Sequence, residues 1–200
     1  MRGMLLSLVI LGFAISAIAQ DITLPAPKKT GGKPLMEALN QRQTHRQFLN
    51  KELDLQTLSN LLWAVNGFNR EDKRVVPTSQ NKQEIDLYVV LERGIYFYDG
   101  KANTLVEKLK GDHRKSVGRQ DFVHTAPVNF IIVGDLNKNS RDAAIIDAGF
   151  LVQNAYLFCA SEGNLGTVVR AYFDKEEVKK LMNFTDKHEV IITQTIGYIK

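Results

Sequence analysis

The sequence predicts an α+β protein, and three observations support this fold class. Two helical patterns and a group of strands come first, followed by a helix, a strand, a helix and a strand, which is not a regular β–α–β series. Residues 85–98 show a hairpin pattern, which predicts antiparallel strands. Residues 141–162 form the longest helical pattern and carry apolar residues on more than one face, so this helix should be buried on more than one side.

The N-terminal residues 1–19 are predicted to be a secretory signal peptide. Arg2 precedes an apolar run from Met4 to Ile15, and Ala17-Ile18-Ala19 supplies small residues for signal-peptidase cleavage. The run is short for an uncleaved membrane anchor, since a spanning helix needs about 20 residues. We therefore expect export to the periplasm or the extracellular space, a mature chain beginning at Gln20, and no stable membrane insertion after the signal is removed.

Composition excludes several classes of protein. The 200 residues are 44% hydrophobic and 24% charged, which suits one globular domain with a leader rather than a disordered or fibrous chain. The formal net charge of +4 comes from interspersed charges, whereas nucleic-acid binding needs a concentrated basic face. Cys159 is the one cysteine, so an intrachain disulfide is excluded, and its apolar neighbours indicate a buried small hydrophobe.

The first half of the mature chain is predicted to contain two helices. Residues 20–33 are rich in proline, lysine and glycine and are interpreted as an extended lead-in to a domain at 34–200. A helix follows Pro34, with Leu35, Met36 and Leu39 on one face. Asp54 is a candidate N-cap for the second helix, which Asn66-Gly67 should end.

Strands and two further helices are predicted for the rest of the chain. The predicted strands are 85–91, 95–98, 128–133, 167–173 and 190–199, and the predicted helices are 141–162 and a capped helix at 174–182. Tight turns are expected at Arg93-Gly94 and Asp99-Gly100. Residues 110–124 are polar and weakly patterned, which fits either a lid or binding loop or a solvated surface helix.

Sequence motifs for common catalytic centres are absent, and no metal site is predicted. Three polar clusters remain, and the first is the segment from Arg42 to Arg46. Two arginines four residues apart, with Thr44 between them, can surround an anion. The alternative interpretation is a solvated basic helix end that complements the helix dipole.

The other two clusters are loops. Residues 77–83, which begin with Pro77, carry short polar side chains that could bracket a polar ligand, or could simply form a turn. Residues 162–171 contain two glycines after the long helix, so the backbone could approach a flat ligand closely, or the glycines could simply end the helix.

The order of these clusters resembles the nitroreductase family of flavoproteins, nearest its SagB-type, azoline dehydrogenase-like branch. The resemblance covers about Pro34 to Tyr198. Its motifs are Arg42-x-Thr44-x-Arg46, Trp63-Ala64-x-x-Gly67, Pro77-Thr78-x-x-Asn81-x-Gln83, Ile95-Tyr96-Phe97-Tyr98-Asp99, Asp147-Ala148-Gly149 with Gln153-Asn154, and the glycine-bearing stretch 163–172. It implies a central mixed, mostly antiparallel sheet flanked by helices, with the long helix at a homodimer interface and FMN bound there.

The resemblance also implies roles for individual residues. Arg42, Gln43 and Thr44 would contact the phosphate and ribityl chain of FMN, and Arg46 would lie near the N1/C2 edge, where a cation stabilises the reduced flavin. Contacts to the ring and ribityl chain would come from the loop, and contacts beside N5 from the last glycine-bearing stretch. These residues are Pro77, Thr78, Ser79 and Asn81 in the loop, and Val169, Arg170 and Ala171 in the stretch. Family members usually carry a phosphate-binding Lys or Arg beyond the final strand, where Lys200 is the candidate here.

The resemblance implies an exported FMN-dependent oxidoreductase that exchanges hydride between flavin N5 and a small organic substrate. No side chain is expected to act as a catalytic nucleophile. A nitro compound, a quinone or an azoline-like group could be the substrate, and NAD(P)H is not expected outside the cytoplasm. The alternative is a secreted flavin-fold binding protein without turnover.

Overall fold

The structure is a computed structural model that describes residues 20–200. The predicted signal peptide lies outside the described residues. Fourteen helices and strands make up the described part of the chain. In chain order they are β1 (Ile22–Thr23), α1 (Leu35–Gln41), α2 (Leu55–Asn66), β2 (Phe68–Arg70), β3 (Lys73–Arg74), β4 (Ile85–Leu91), β5 (Gly94–Asp99), β6 (Thr104–Lys110), α3 (Asp121–Thr125), β7 (Val128–Asp135), α4 (Arg141–Glu162), β8 (Leu165–Arg170), α5 (Lys175–Leu181) and β9 (His188–Tyr198).

Seven strands form one sheet in the order β1-β6-β5-β4-β7-β9-β8, while β2 and β3 pair separately. Every neighbouring pair among the described strands is antiparallel. The α+β fold class and the antiparallel character of the sheet are thereby confirmed. Strand β8 lies at one edge of the sheet, which leaves half of its backbone groups free to bond outside the sheet.

The sheet is covered on both faces, and the alternation of side chains along β4 shows how. Ile85, Leu87 and Val89 point into the larger core, which α2 and α4 cover. Tyr88 and Val90 point into the second core, which includes side chains of α3 and α5. A strand buried on both faces is a nearly continuous apolar run, as β4 and β7 are.

Helix α4 is the central helix of the larger layer. It packs against α1, α2 and four strands of the sheet, and its ends are capped at both termini. The Ser140 hydroxyl accepts the Ala143 N–H, and Gly163 ends the helix with a φ of 77°, which glycine adopts without strain. The predicted N-caps of α2 and α5 are also confirmed, with Asp54 accepting the Thr57 N–H and Asp174 accepting the Glu176 N–H.

Several predicted boundaries were wrong. The pairing of Leu91 with Gly94 leaves Glu92 and Arg93 as the two turn residues, one position earlier than predicted. Strand β8 runs from Leu165 to Arg170, because the next residues leave the sheet in a turn that the Phe173 N–H closes onto the Ala171 carbonyl.

Two further segments differ from expectation. Strand β6 was not predicted, because only Leu105 in it is buried and its apolar pattern is therefore weak. Residues 110–124 are neither a lid nor a solvated helix. They contain a 3₁₀ turn at Arg114–Val117 and the short helix α3, and fully buried Val117 and Val123 fix them to the second core.

Candidate functional site

The segment Arg42–Arg46 follows α1 and lies directly on the edge strand β8. The His45 N–H donates to the Thr167 carbonyl over 3.1 Å. A Cβ atom at Gly166 would lie 2.7 Å from Cβ and Cγ of His45, so the absence of a side chain at Gly166 permits this close approach. Burial lowers the pKa of the His45 imidazole, which favours its neutral form.

Tyr156 in α4 joins the first predicted cluster to the third. Its hydroxyl lies 3.2 Å from the Thr44 hydroxyl oxygen and accepts the Val169 N–H over 3.2 Å. The Arg42 guanidinium lies 5.3 Å from the centre of the Tyr156 ring, within the range of a cation–π interaction. The structure therefore brings the predicted residues Arg42, Thr44 and Val169 to one place.

Two neighbouring cavities open along this segment, and neither has an acidic residue in its lining. One of about 360 Å³ is lined by Asn40, Gln41, Arg42, Gln43, His45, Cys159, Ala160, Gly163, Leu165 and Ile199. The other, of about 240 Å³, is lined by His45, Arg46, Gln47, Ile199 and Lys200. Within residues 20–200, neither Arg42 nor Arg46 takes part in an ion pair. Unpaired guanidinium groups beside a cavity suit an anion. We call the segment 42–46, the edge of β8 and Lys200 the basic half.

The predicted loop 77–83 forms a second polar surface, which we call the loop half. Its residues Gln80, Asn81 and Gln83 have φ values of 54°, 57° and 50°, a region that non-glycine residues rarely adopt. Two hydrogen bonds hold this conformation. Within the loop, the Gln83 N–H donates to the Thr78 hydroxyl, and outside it the Gln83 side chain donates to the Asp72 carbonyl. Pro77 and Ser79 are exposed, whereas Thr78 and Asn81 are half-buried. Such strain is common in loops that bind ligands.

The loop half is anchored on the first half of α4. The Ser79 N–H donates to Oδ2 of buried Asp147 over 2.9 Å. The Asp147 carboxyl group interacts with that of Glu84, which is fully buried. Burial, followed by the interaction with Asp147, raises the pKa of Glu84.

The two halves contact α4 at different points of its length. Asp147 holds the loop half and Tyr156 holds the basic half, and these residues are nine positions apart in the helix. At 1.5 Å per residue, the two points are separated by about 14 Å along the helix axis. Within one chain, the structure therefore joins the first and third predicted clusters but does not bring the second to them.

The three predicted residues at the end of β8 have different environments. The Val169 N–H is occupied by Tyr156, and the side chain of Arg170 lies on the other face of the sheet, 6.0 Å from the ring of Phe122. Burial lowers the pKa of Arg170 to about 10. Ala171 is exposed just beyond the end of the strand.

Sequence reasoning missed the residues that organise both halves. Tyr156 lies within the apolar pattern of residues 141–162, although the hydroxyl group of a buried tyrosine usually needs a partner. Asp147 entered only as part of a motif, and Glu84 was not singled out. An acidic residue inside an apolar helical pattern was the available signal, because a buried carboxyl group requires hydrogen-bond partners.

Comparison with known proteins gives one family. A family model described as the nitroreductase family matches residues 39–198. The chain is similar to a solved nitroreductase-like protein from Ralstonia eutropha, with 36% identity, a TM-score of 0.83 and 90% of each chain covered. No curated protein matches the chain significantly.

Two more distant solved structures share the fold. A nitroreductase-like protein from Anabaena variabilis has 21% identity and a TM-score of 0.76, and the match covers 91% of this chain and 42% of that chain. An FMN-dependent nitroreductase from Clostridium difficile has 20% identity and a TM-score of 0.60, and the match covers 82% of this chain and 87% of that one.

Proposed function

The chain belongs to the nitroreductase family, and from this premise we propose that it is an FMN-dependent oxidoreductase. The observation that carries the proposal is the basic half. Arg42 and Arg46 stand without ion-pair partners among the described residues, beside cavities that lack acidic lining, and Tyr156 ties their segment to the edge of β8.

The donors of the basic half fit the chemical groups of FMN. Arg42 and Lys200 can neutralise a phosphate and the Gln43 amide can donate a hydrogen bond to it, while the Thr44 hydroxyl can bond a ribityl oxygen. Arg46 supplies a fixed positive charge for the N1/C2 edge of a flavin, and the Ala171 N–H supplies a backbone donor for the N5 edge. When bound, FMN supplies hydride exchange at N5, and the residues of the protein bind and orient the reactants.

We propose that the complete site forms in a homodimer. Ile146 and Phe150 of α4 are 63% and 40% exposed, and a Cβ atom at Gly149 would face open space. Leu35 and Met36 of α1, a helix that also packs against α4, are further exposed apolar residues. An apolar surface of this kind commonly marks an interface.

A two-fold axis crossing α4 between its two contact points would make two copies of this helix antiparallel. The Asp147 end of one helix would then lie beside the Tyr156 end of the other. This arrangement would join the loop half of one protomer to the basic half of its partner, across the separation of about 14 Å along the helix. Pro77, Thr78, Ser79 and Asn81 would thus reach the FMN bound by the partner.

We further propose a substrate class and a location for the protein. Among oxidoreductases of this family, the motif Ile95–Asp99 favours a place near the SagB-type branch, with a nitro compound, a quinone or an azoline-like group as substrate. We propose export after cleavage behind Ala19. This cleavage would leave β1, which begins at Ile22 and pairs with β6, intact in the mature protein.

The proposal is tested on protein purified from the export compartment. We expect a yellow protein with FMN as its extractable cofactor, a mass that corresponds to a mature N-terminus at Gln20, and a dimer in solution. Bleaching of the flavin by a reductant and recovery with a quinone or nitro compound would demonstrate turnover. Stable FMN without any such cycle would indicate a carrier, and a colourless protein that does not bind added FMN would overturn the proposal.

A further inference from the structure

We infer that Glu84 and Asp147 share one proton and that this shared proton positions the loop half. In this arrangement Glu84 is the protonated donor, and Asp147 is the acceptor for both Glu84 and the Ser79 N–H. The positions of the two buried carboxyl groups do not depend on the proposed function, whereas the consequence of the shared proton for flavin binding rests on it.

The hydrogen-bond inventory of Glu84 requires a proton. Its Oε1 accepts from the Asn139 amide over 3.2 Å, but in residues 20–200 no donor lies on its fully buried Oε2. The neighbour with which this carboxyl group bonds is Asp147, another acceptor. Two ionised carboxylates in contact inside the protein would repel each other, and one proton between them removes both the repulsion and the unsatisfied oxygen.

The surrounding charges do not offer another solution. In residues 20–200, no Lys, Arg or His side chain forms an ion pair with Glu84 or Asp147. The next carboxyl group is that of Asp135 at the end of β7, and it pairs with Lys138 over 3.4 Å. The backbone N–H of Asp135 donates to the Glu84 carbonyl. The raised pKa of Glu84, caused by burial and by Asp147, agrees with the protonated form.

The shared proton acts on the loop through Asp147. Asp147 accepts a hydrogen bond from the Ser79 N–H, and Ser79 is the first residue of the turn that contains the three residues with positive φ. Loss of the proton would separate the two carboxylates and pull Asp147 from Ser79. Because the strained turn persists only when its contacts fix it, the loop would then relax. Glu84 and Asp147 are therefore positioning residues, and they do not contact the reactants.

The sign of the pH dependence follows from the raised pKa. Below the ordinary pKa of 4.5 for this side chain, Glu84 is protonated in both the folded and the unfolded chain, and the full contribution is present. Above 4.5 the unfolded chain loses the proton while the folded chain retains it, so stability falls as pH rises until the folded-state pKa is passed. A single proton corresponds to a fall in the unfolding midpoint of at most roughly 3–5 °C per pH unit in this window.

The test compares Glu84→Gln and Asp147→Asn with the wild type, using exposed Glu71→Gln as the matched control. Thermal unfolding of the full mature protein is measured from about pH 4.5 upward, without added FMN. In Glu84→Gln the new amide can donate to Asp147 without titrating, and in Asp147→Asn the new amide can donate to an ionised Glu84. We therefore expect the fall to be smaller in both variants than in the wild type and in Glu71→Gln, most of all in Glu84→Gln. Asp86, whose pKa burial also raises, should contribute the same fall in all four proteins.

A second measurement separates this inference from the proposed function. FMN affinity should fall in the wild type as pH rises through the folded-state pKa of Glu84, and this fall should be absent in Glu84→Gln. If both variants keep the wild-type unfolding profile, the shared proton is overturned even when FMN binds. If the variants flatten the unfolding profile but FMN does not bind to any of the proteins, the shared proton stands and the flavin proposal fails.

Discussion

The basic half and the loop half are held in opposite ways. Arg42 and Arg46 carry full charges that no carboxylate neutralises within the described residues, and backbone bonds to β8 fix the segment that bears them. The loop half carries one charged side chain, the exposed Lys82, and its other side chains are neutral. Its strained backbone is held by the hydrogen bond from the Ser79 N–H to the buried carboxyl group of Asp147, which interacts with the buried carboxyl group of Glu84.

This difference indicates a division of roles within one site. Unpaired cations provide attraction for an anion but little directional precision, whereas a rigid loop of neutral donors and acceptors provides direction. The two halves contact α4 about 14 Å apart along its axis, and in the proposed dimer each site would take one half from each protomer. Each of the following experiments changes one half, or the contact between them.

The largest effect is expected from separating the halves. Ile146→Glu places a charge on the exposed apolar strip of α4, where dimer formation would bury it without a partner. We expect a monomeric protein whose FMN affinity falls at least about 100-fold, since half of the proposed site is lost. Size-exclusion chromatography and flavin titration measure both changes.

The matched control for this variant is Lys187→Glu, which also introduces an acidic residue at an exposed position. It should remain dimeric and bind FMN as the wild type does. An Ile146→Glu monomer that retains wild-type FMN affinity would show that one protomer is sufficient, and the comparison between complementary halves would fail.

Next in size is the removal of the cation that lies on Tyr156. Arg42→Ala deletes a guanidinium that has no ion-pair partner among the described residues, so folding should change little. We expect FMN affinity to fall about 10–100-fold, which corresponds to charge-assisted hydrogen bonds worth about 1.5–3 kcal/mol. Arg93→Ala removes an exposed arginine in the turn between β4 and β5, which lines neither cavity, and should leave affinity unchanged.

Arg46 should affect reduction more than binding. A fixed cation near N1 stabilises the anionic reduced flavin, so Arg46→Ala should lower the midpoint potential by about 30 mV, the equivalent of about 1.4 kcal/mol for a two-electron couple. Affinity for oxidised FMN should fall less than it does in Arg42→Ala. Equal potentials and equal flavin content in the two variants would contradict the separate assignments.

Local physical chemistry made much of the fold predictable. The caps Asp54 and Asp174, with the apolar spacing behind them, placed the helices α2 and α5 correctly. Strand β6 was not predicted because it lies beside the two-residue strand β1, near an edge of the sheet, and buries little apolar surface. A strand with so few buried side chains carries little of the apolar periodicity from which strands are predicted.

The site was predictable as a set of residues but not as an arrangement. Polar clusters at 42–46, 77–83 and 162–171 could be seen in the sequence, whereas their distribution along α4 depends on tertiary contacts. Only the structure shows that Ser79 bonds Asp147 while Thr44 contacts Tyr156. The positive φ values at Gln80 and Gln83 could not be predicted either, because glutamine rarely adopts the left-handed backbone region.

The smallest effect tests whether the loop half is strained for the sake of its geometry. Gln80 has φ of 54°, so Gln80→Gly should relieve about 1–2 kcal/mol of backbone strain, offset by about 0.5–1 kcal/mol from the greater freedom of the unfolded chain. The net gain should raise the unfolding midpoint by about 1–3 °C. The same change directly after the basic half, Gln47→Gly, relieves no positive φ and should lower the midpoint.

If the loop holds its strain in order to direct donors at FMN, Gln80→Gly should bind FMN a few-fold more weakly although it is more stable. A more stable variant with unchanged affinity would assign the strain to folding alone and remove direction from the role of the loop.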